Sequence, residues 1–370
     1  MAILPKSIRY YEIDLMRFLA ALSVVFYHFT YRGYQQGHFM PTSFPALAPV
    51  TKYGWLGVQL FFMISGYVVL MSAQGKTVKQ FFLSRVTRLY PAYWVCCTLT
   101  FVFFRAFGPR PGQLGWSDAL DVSLTKWLVN LTMLQEFVGA KLVDLSYWSL
   151  TIELTFYFLI SLVVAYRLFN SLPALLLLWL GYVAITGPDP GDKAPFFTLF
   201  FPNHAPFFAA GMVFYLLQKK FFAAWQLYSL LALSFVLGIR SIRAETGIMQ
   251  SIFKDTNFSP VVAAVAVVTF FVLFWLLIKG RLHLPFSWLS RLGAMTYPLY
   301  LLHSSIGWVV FQRLDGVVNK YVLLFGLIAV MMLMALGIHY MIERRFAKPL
   351  GEAVDGLLSR LSAHLPTRQV

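Results

Sequence analysis

IDLMRFLAALSVVFYHFTY, Ile13 to Tyr31, is an apolar run that carries two basic side chains, Arg17 and His28, with ten residues between them. The run approaches the ~20 apolar residues that a helix needs to cross a bilayer. Eleven steps at about 100° per residue come to three turns and roughly 20°, so both side chains lie on one stripe, ~16 Å apart along the axis. Ionisable residues inside a membrane span are costly unless they are paired or functional. This one segment therefore points to a membrane fold and to where its chemistry sits.

The rest of the chain agrees with the membrane reading. Of 370 residues, 59% are hydrophobic and 12% charged, and the mean hydropathy is +0.69; a soluble domain carries roughly 25% charged residues. Ten mostly apolar stretches read as spans: Ile13 to Tyr31, Trp55 to Ala73, Leu89 to Phe107, Tyr147 to Tyr166, Ser171 to Gly187, Pro195 to Gln218, Phe222 to Ile239, Pro260 to Ile278, Ala294 to Phe311 and Val322 to Ile342. The segment Leu124 to Phe137 is apolar on one side only and reads as an interfacial or loop helix. The expected fold is all-α and integral to the membrane, with one domain over residues 8–345. Residues 346–370 form a cytoplasmic tail, either a surface helix or frayed.

Lys6 and Arg9 precede the first span, and no small-residue cleavage site follows it, so the segment reads as a retained signal anchor. Ten spans with the N-terminus inside place the richer Lys and Arg segments on the cytoplasmic side, which predicts that both termini are cytoplasmic. The net charge of +15 is explained by this rule and by attraction to anionic lipid, and implies no nucleic-acid partner. Cys96 and Cys97 are adjacent within a span and suit neither a staple nor a metal site. His28, His204, His303 and Glu153 lie on four spans without ligand spacing, so no metal is expected.

The expected topology sorts the polar residues by depth. His28 lies ~5 Å and Glu153 ~9 Å in from the outer face, close enough in depth to share a site. Arg17 falls near the inner end of its span, and Arg85 and Arg88 stand three apart on one helix face at the inner end of the third. Guanidinium forks match phosphate geometry, so these arginines suit the nucleotide end of a coenzyme. An imidazole can take a proton from an attacking hydroxyl, and a carboxylate can orient it. That division implies acyl transfer to an alcohol. Innocent roles compete: Arg17 pairing with Asp14 or snorkelling, Arg85 and Arg88 as topology anchors, and Ser65-Gly66 as a packing notch between helices.

Five segments, YEIDLMRFLAALSVVFYH (11–28), GVQLFFMISGYVV (57–69), FFLSRVTRLYPAYW (81–94), YWSLTIELTFYF (147–158) and MTYPLYLLH (295–303), resemble in that order the membrane acyltransferase-three family of bacterial O-acyltransferases. The resemblance runs from about Tyr10 to Glu343. It implies that Arg17 and His28 are the family's basic-residue-to-histidine pair, with His28 the catalytic base and Glu153 the matching acid. It maps the Phe-Phe-x-x-Ser-Gly element onto Phe61, Phe62, Ser65 and Gly66, and the Arg-x-x-Arg element onto Arg85 and Arg88. Ser65 thus joins Arg17, Arg85 and Arg88 in the expected donor site. At Gln59 the chain departs from the acid that the resemblance leads one to expect.

The expectation is an inner-membrane O-acyltransferase of a bacterium. It takes an acetyl group from acetyl-CoA and modifies a hydroxyl of a cell-envelope or exported glycan, or of its lipid-linked precursor. Its partners are then membrane lipid, acyl-CoA and the glycan acceptor. The competing class is a transporter of an anionic metabolite or acylated glycan, with Arg17, His28 and Glu153 lining its path. The paired broken helices of many transporters are not visible in the sequence.

Overall fold

The computed structural model describes residues 10–36, 39–117, 121–188 and 196–363. Lys6, Arg9 and Arg368 of the charge pattern, residue 8 at the expected domain boundary and the Pro195 start of the sixth expected span lie outside them. Among the described residues all regular structure is helical. Helix α1 is Tyr11–Tyr27, prolonged by a π-helical turn His28–Arg32 and by Gly33–Gln35. There follow α2 (Gly57–Ala73), α3 (Val78–Phe107), the short α4 (Leu124–Asn130), α5 (Trp148–Ala165), α6 (Leu172–Thr186) and α7 (Ala205–Lys219). The chain continues through α8 (Ala224–Phe253), α9 (Pro260–Ile278), α10 (Leu289–Leu314), α11 (Lys320–Ile338) and α12 (Arg344–Ala363).

Among the described residues eight helical segments are long and apolar enough to cross a membrane. The protein is therefore an all-α, multi-pass membrane protein. The other two expected spans correspond to α7 and α10, which are the most enclosed: every residue of α7 from Ala205 to Leu216 is buried, as is nearly all of α10 from Met295 to Phe311. These two, with α1 and α2, form the centre of the bundle, α2 against α7 and α1 against α10. The periphery turns apolar side chains outward, such as Leu177, Leu178 and Ile185 on α6 and Val261, Val265 and Val272 on α9. In a bilayer that face meets lipid rather than water.

Local chemistry accounts for the boundaries. Thr77 and Gln80 form a reciprocal capping box that starts α3 a full three turns before Leu89, the expected start. Ser123 and Ser259 cap α4 and α9. Arg167, Lys220 and Lys254 take left-handed conformations at the ends of α5, α7 and α8. The sixth expected span is broken: a short helix Phe197–Phe200 precedes a turn at Phe201 to His204, so α7 starts only at Ala205. The seventh runs on past Ile239 to Phe253, because Arg240 donates to the Ala184 carbonyl at 2.9 Å while Ile242, Glu245 and Thr246 stay buried. As far as residue 363 the tail is a surface helix, α12, tied to α3 by Lys79 to Asp355 at 2.8 Å.

Two glycines set the central crossing. A Cβ on Gly66 would stand 2.1 Å from the Phe208 carbonyl oxygen, and one on Gly211 would stand 1.9 Å from that of Met63. Gly66 is thus a packing notch, as small residues are between membrane helices. Its neighbour Ser65 is not part of the notch, since its hydroxyl donates to Glu153 Oε1 at 3.0 Å.

Candidate active site

At the Arg17 end of the bundle a cavity of about 560 Å³ is walled by Asp14, Arg17, Arg88, Ser290, Arg291, Gly293, Ala294, Tyr297, His339, Tyr340, Glu343 and Arg344. Four guanidinium groups face three acidic or imidazole side chains there. His339 and Glu343 already pair at 2.5 Å. The arginines come from α1, α3, α10 and the start of α12, so a single ligand held by them would clamp four helices. Arg291 and Arg344 were legible only as flanking charges.

Arg85 is not in this wall. It lines a separate apolar groove with Phe81, Leu89, Phe137 and Tyr157, its guanidinium 5.5 Å from the ring centres of Phe81 and Tyr157. The three-residue spacing from Arg88 leaves about 60° between the two side chains, enough to send them into different spaces.

Glu153 sits between these regions. Its Oε1 accepts from Ser65 and from the hydroxyl of Tyr157, one turn along α5. Among the described residues no hydrogen bond, ion pair or ring contact joins it to His28. One turn toward the other end, Ser149 Oγ and Tyr300 hydroxyl meet at 2.7 Å, and Tyr300 donates to the Ser146 carbonyl at 2.9 Å. Polar groups thus continue along the interior from the arginine cavity toward His28.

His28 opens the π-helical turn of α1 and is buried. Such turns insert an extra residue into a helix and frequently occur at functional sites. Trp308 stacks on the imidazole with ring centres 5.6 Å apart and 17° between planes, and its Nε1 donates to the His28 carbonyl at 3.0 Å. His303 stands edge-on at 4.8 Å. The Nδ1 of His28 has no hydrogen-bond partner. Above the pair, Tyr31 donates to Asp255 Oδ2 at 2.8 Å and Lys52 bonds the same oxygen at 3.2 Å. Desolvation acts to raise the Asp255 carboxyl, but the bonds from Tyr31, the Asn257 N–H and Lys52 outweigh it and hold the group below its ordinary value.

A second buried cluster joins α2, α7 and α8. Gln59 Nε2 donates to Glu245 Oε2 at 2.8 Å, and His204 Nδ1 lies 3.4 Å from Glu245 Oε1. The acid missing at Gln59 is therefore present in space, supplied by Glu245, which lies six residues past Ile239 on a helix that continues to Phe253. His204 is the residue before α7.

The acyltransferase-3 family model, described as an acyltransferase domain, matches residues 10–342. The chain belongs to that family. Acyltransferase-3 membership agrees with two relatives. The acyltransferase MdmB of Streptomyces mycarofaciens is 28% identical over 327 residues, 81% of this chain and 79% of its own. The O-acetyltransferase OatA of Staphylococcus aureus is 34% identical over 134 residues, 32% of this chain and 22% of that protein. No solved structure matches the chain. The protein is thus an acyltransferase built into a membrane.

Proposed function

We propose that this acyltransferase works in the bacterial inner membrane, with both termini in the cytoplasm. It moves an acetyl group from acetyl-CoA to a hydroxyl of an envelope or exported glycan or its lipid-linked precursor. The observation that carries the reading is the separation of charge: four arginines around a cavity at one end of α1, and a buried, unpaired imidazole at the other. The ~16 Å rise between Arg17 and His28 suits an extended pantetheine arm, with the coenzyme phosphates on Arg17, Arg88, Arg291 and Arg344 and the thioester beside His28. Glu153 and Ser65 lie along the path of the arm, and Arg85 stands outside the phosphate site.

His28 takes the proton of the acceptor hydroxyl, and the oxygen attacks the thioester carbonyl. The carbon–sulfur bond breaks, and the thiolate leaves and recovers the proton from the imidazolium. Products are an ester and free coenzyme thiol. A positioned base contributes about 10²–10⁴-fold. Membranes holding the full chain, supplied with radiolabelled acetyl-CoA, are expected to place label in alkali-labile ester. His28→Ala lowers that rate by about 10²-fold or more at equal protein level and unchanged elution on sizing. Undiminished labelling by His28→Ala removes the imidazole from the reaction.

A further inference from the structure

We infer that His303 is a positioning residue for His28, a neutral hydrogen-bond acceptor that holds the base in one tautomer and carries its N–H when it becomes charged. The inference rests on His28 being the base, as proposed above.

The tautomer of His303 is fixed by its partner. Its Nδ1 lies 2.8 Å from the Tyr300 carbonyl oxygen, and a carbonyl only accepts, so Nδ1 carries the hydrogen. The lone pair of the neutral ring is then on Nε2, which is buried without a partner. The ring next to it, 4.8 Å away and nearly perpendicular, is that of His28, whose Nδ1 is also buried without a partner. One orphan is an obligate acceptor, and the other becomes a donor if His28 is the Nδ1–H tautomer. The His303 ring stays held by its bond to the Tyr300 carbonyl, so the pairing is reached by a turn of the His28 ring about its broad terminal torsion. It leaves the Nε2 lone pair of His28 for the acceptor hydroxyl.

The surroundings support an acceptor that adds no charge. His28 is flanked by the rings of Trp308 and Tyr27 and is itself buried, where a second ionised group would bear a heavy desolvation cost. The buried carboxylate that acts on His303, Asp144, is committed elsewhere. Asp144 accepts from Ser146 N at 2.8 Å and Ser146 Oγ at 2.6 Å through Oδ1, and from Ser305 N at 2.8 Å through Oδ2. It anchors the stretch of α10 that carries His303, so the imidazole is held from both its ring and its backbone. During transfer the proton of the acceptor goes to His28 Nε2, the Nδ1–H stays bonded to His303, and the same Nε2 proton passes to the leaving thiolate. His303 gains and loses nothing.

The test uses full-length protein in membranes with radiolabelled acetyl-CoA, measuring kcat and KM for the donor. His303→Leu fills the space without an acceptor, and His303→Gln restores one. His303→Leu is expected to lose about ten- to hundredfold in kcat, part of the general-base effect, with KM within about twofold; His303→Gln is expected to recover most of the loss. Equal kcat for His303→Leu and wild type overturns the inference, and so does equal impairment of the Leu and Gln variants, which marks a purely structural site. If His28→Ala keeps full activity, the base assignment itself has failed, an outcome distinct from both.

Discussion

The two ends of α1 handle polarity in opposite ways. Around Arg17 the side chains are ionic, come from four helices and face a cavity of about 560 Å³; around His28 the contacting groups are rings, stacked and closed, Arg32 is the charge that acts on them, and Lys52 and Asp255 pair with each other. Ionic sites suit binding of a multiply charged ligand, because each guanidinium can meet a phosphate without being stripped of all water. Closed sites suit proton transfer, because a nearby fixed dipole or lone pair counts for more where water is excluded. The difference teaches that a single helix can join recognition to chemistry while keeping their dielectric needs apart.

The strongest way to break that contrast is to exchange the signatures. Arg88→Ala is expected to raise KM for acetyl-CoA about 10- to 100-fold, the loss of one charged hydrogen bond worth about 1.5–3 kcal/mol, with kcat changed little. His28→Ala does the reverse. Arg85→Ala, facing the apolar groove rather than the cavity, is expected to shift KM by less than about threefold, within the range of an exposed charge. Equal effects of Arg85→Ala and Arg88→Ala in a donor titration place both arginines on the same ligand and dissolve the assignment to separate spaces.

The legible parts of the molecule are those carried by hydropathy and by spacing along one helix. The ten apolar stretches each correspond to a helix, and Arg17 and His28 lie on α1 as their spacing requires. What spacing cannot give is the partner on another helix. Depth and the family resemblance both put Glu153 with His28, yet its hydrogen bonds go to Ser65 and Tyr157. His303 and Trp308 reach His28 from α10, far away in sequence. Arg291 and Arg344 looked like flanking charges because a cation that fixes topology and one that lines a cavity have the same sequence signature. Glu245 was lost because hydropathy falls at Arg240 and Arg243 while the helix continues.

A smaller perturbation sharpens the contrast from the arginine side. A Cβ on Gly293 would stand 2.2 Å from Asp14 Oδ1, so Gly293→Ala displaces that carboxylate within a cavity whose arginines it helps to balance. A side chain moved off its rotamer costs about 0.5–1.5 kcal/mol, and the same scale applied to donor binding gives a rise in KM of about two- to tenfold. Turnover at saturating acetyl-CoA should be unchanged. A fall in kcat with constant KM in steady-state assays would mean that the cavity reports on the chemistry directly.

The smallest effect tests the dryness of the His28 end through the loop that anchors it. Asn130 on α4 bonds the Val143 N–H and the Lys141 carbonyl, which holds the approach to Asp144 and so to α10. On the same short helix Lys126 is buried, and desolvation lowers its ammonium to about 8, against about 10.4 when unfolded. Between those values the unfolded chain binds the extra proton, so stability rises with pH across the window and is flat below it. Its Nζ bond to the Asp121 carbonyl at 2.6 Å survives deprotonation, since a neutral amine still donates. Measured as Tm in detergent from pH 7 to 9.5, wild type should gain on the order of 2 °C relative to Lys126→Met, which has no proton to lose. Parallel curves for the two proteins mean that water reaches Lys126 freely, and that the loop over this end of the bundle is as wet as the arginine cavity.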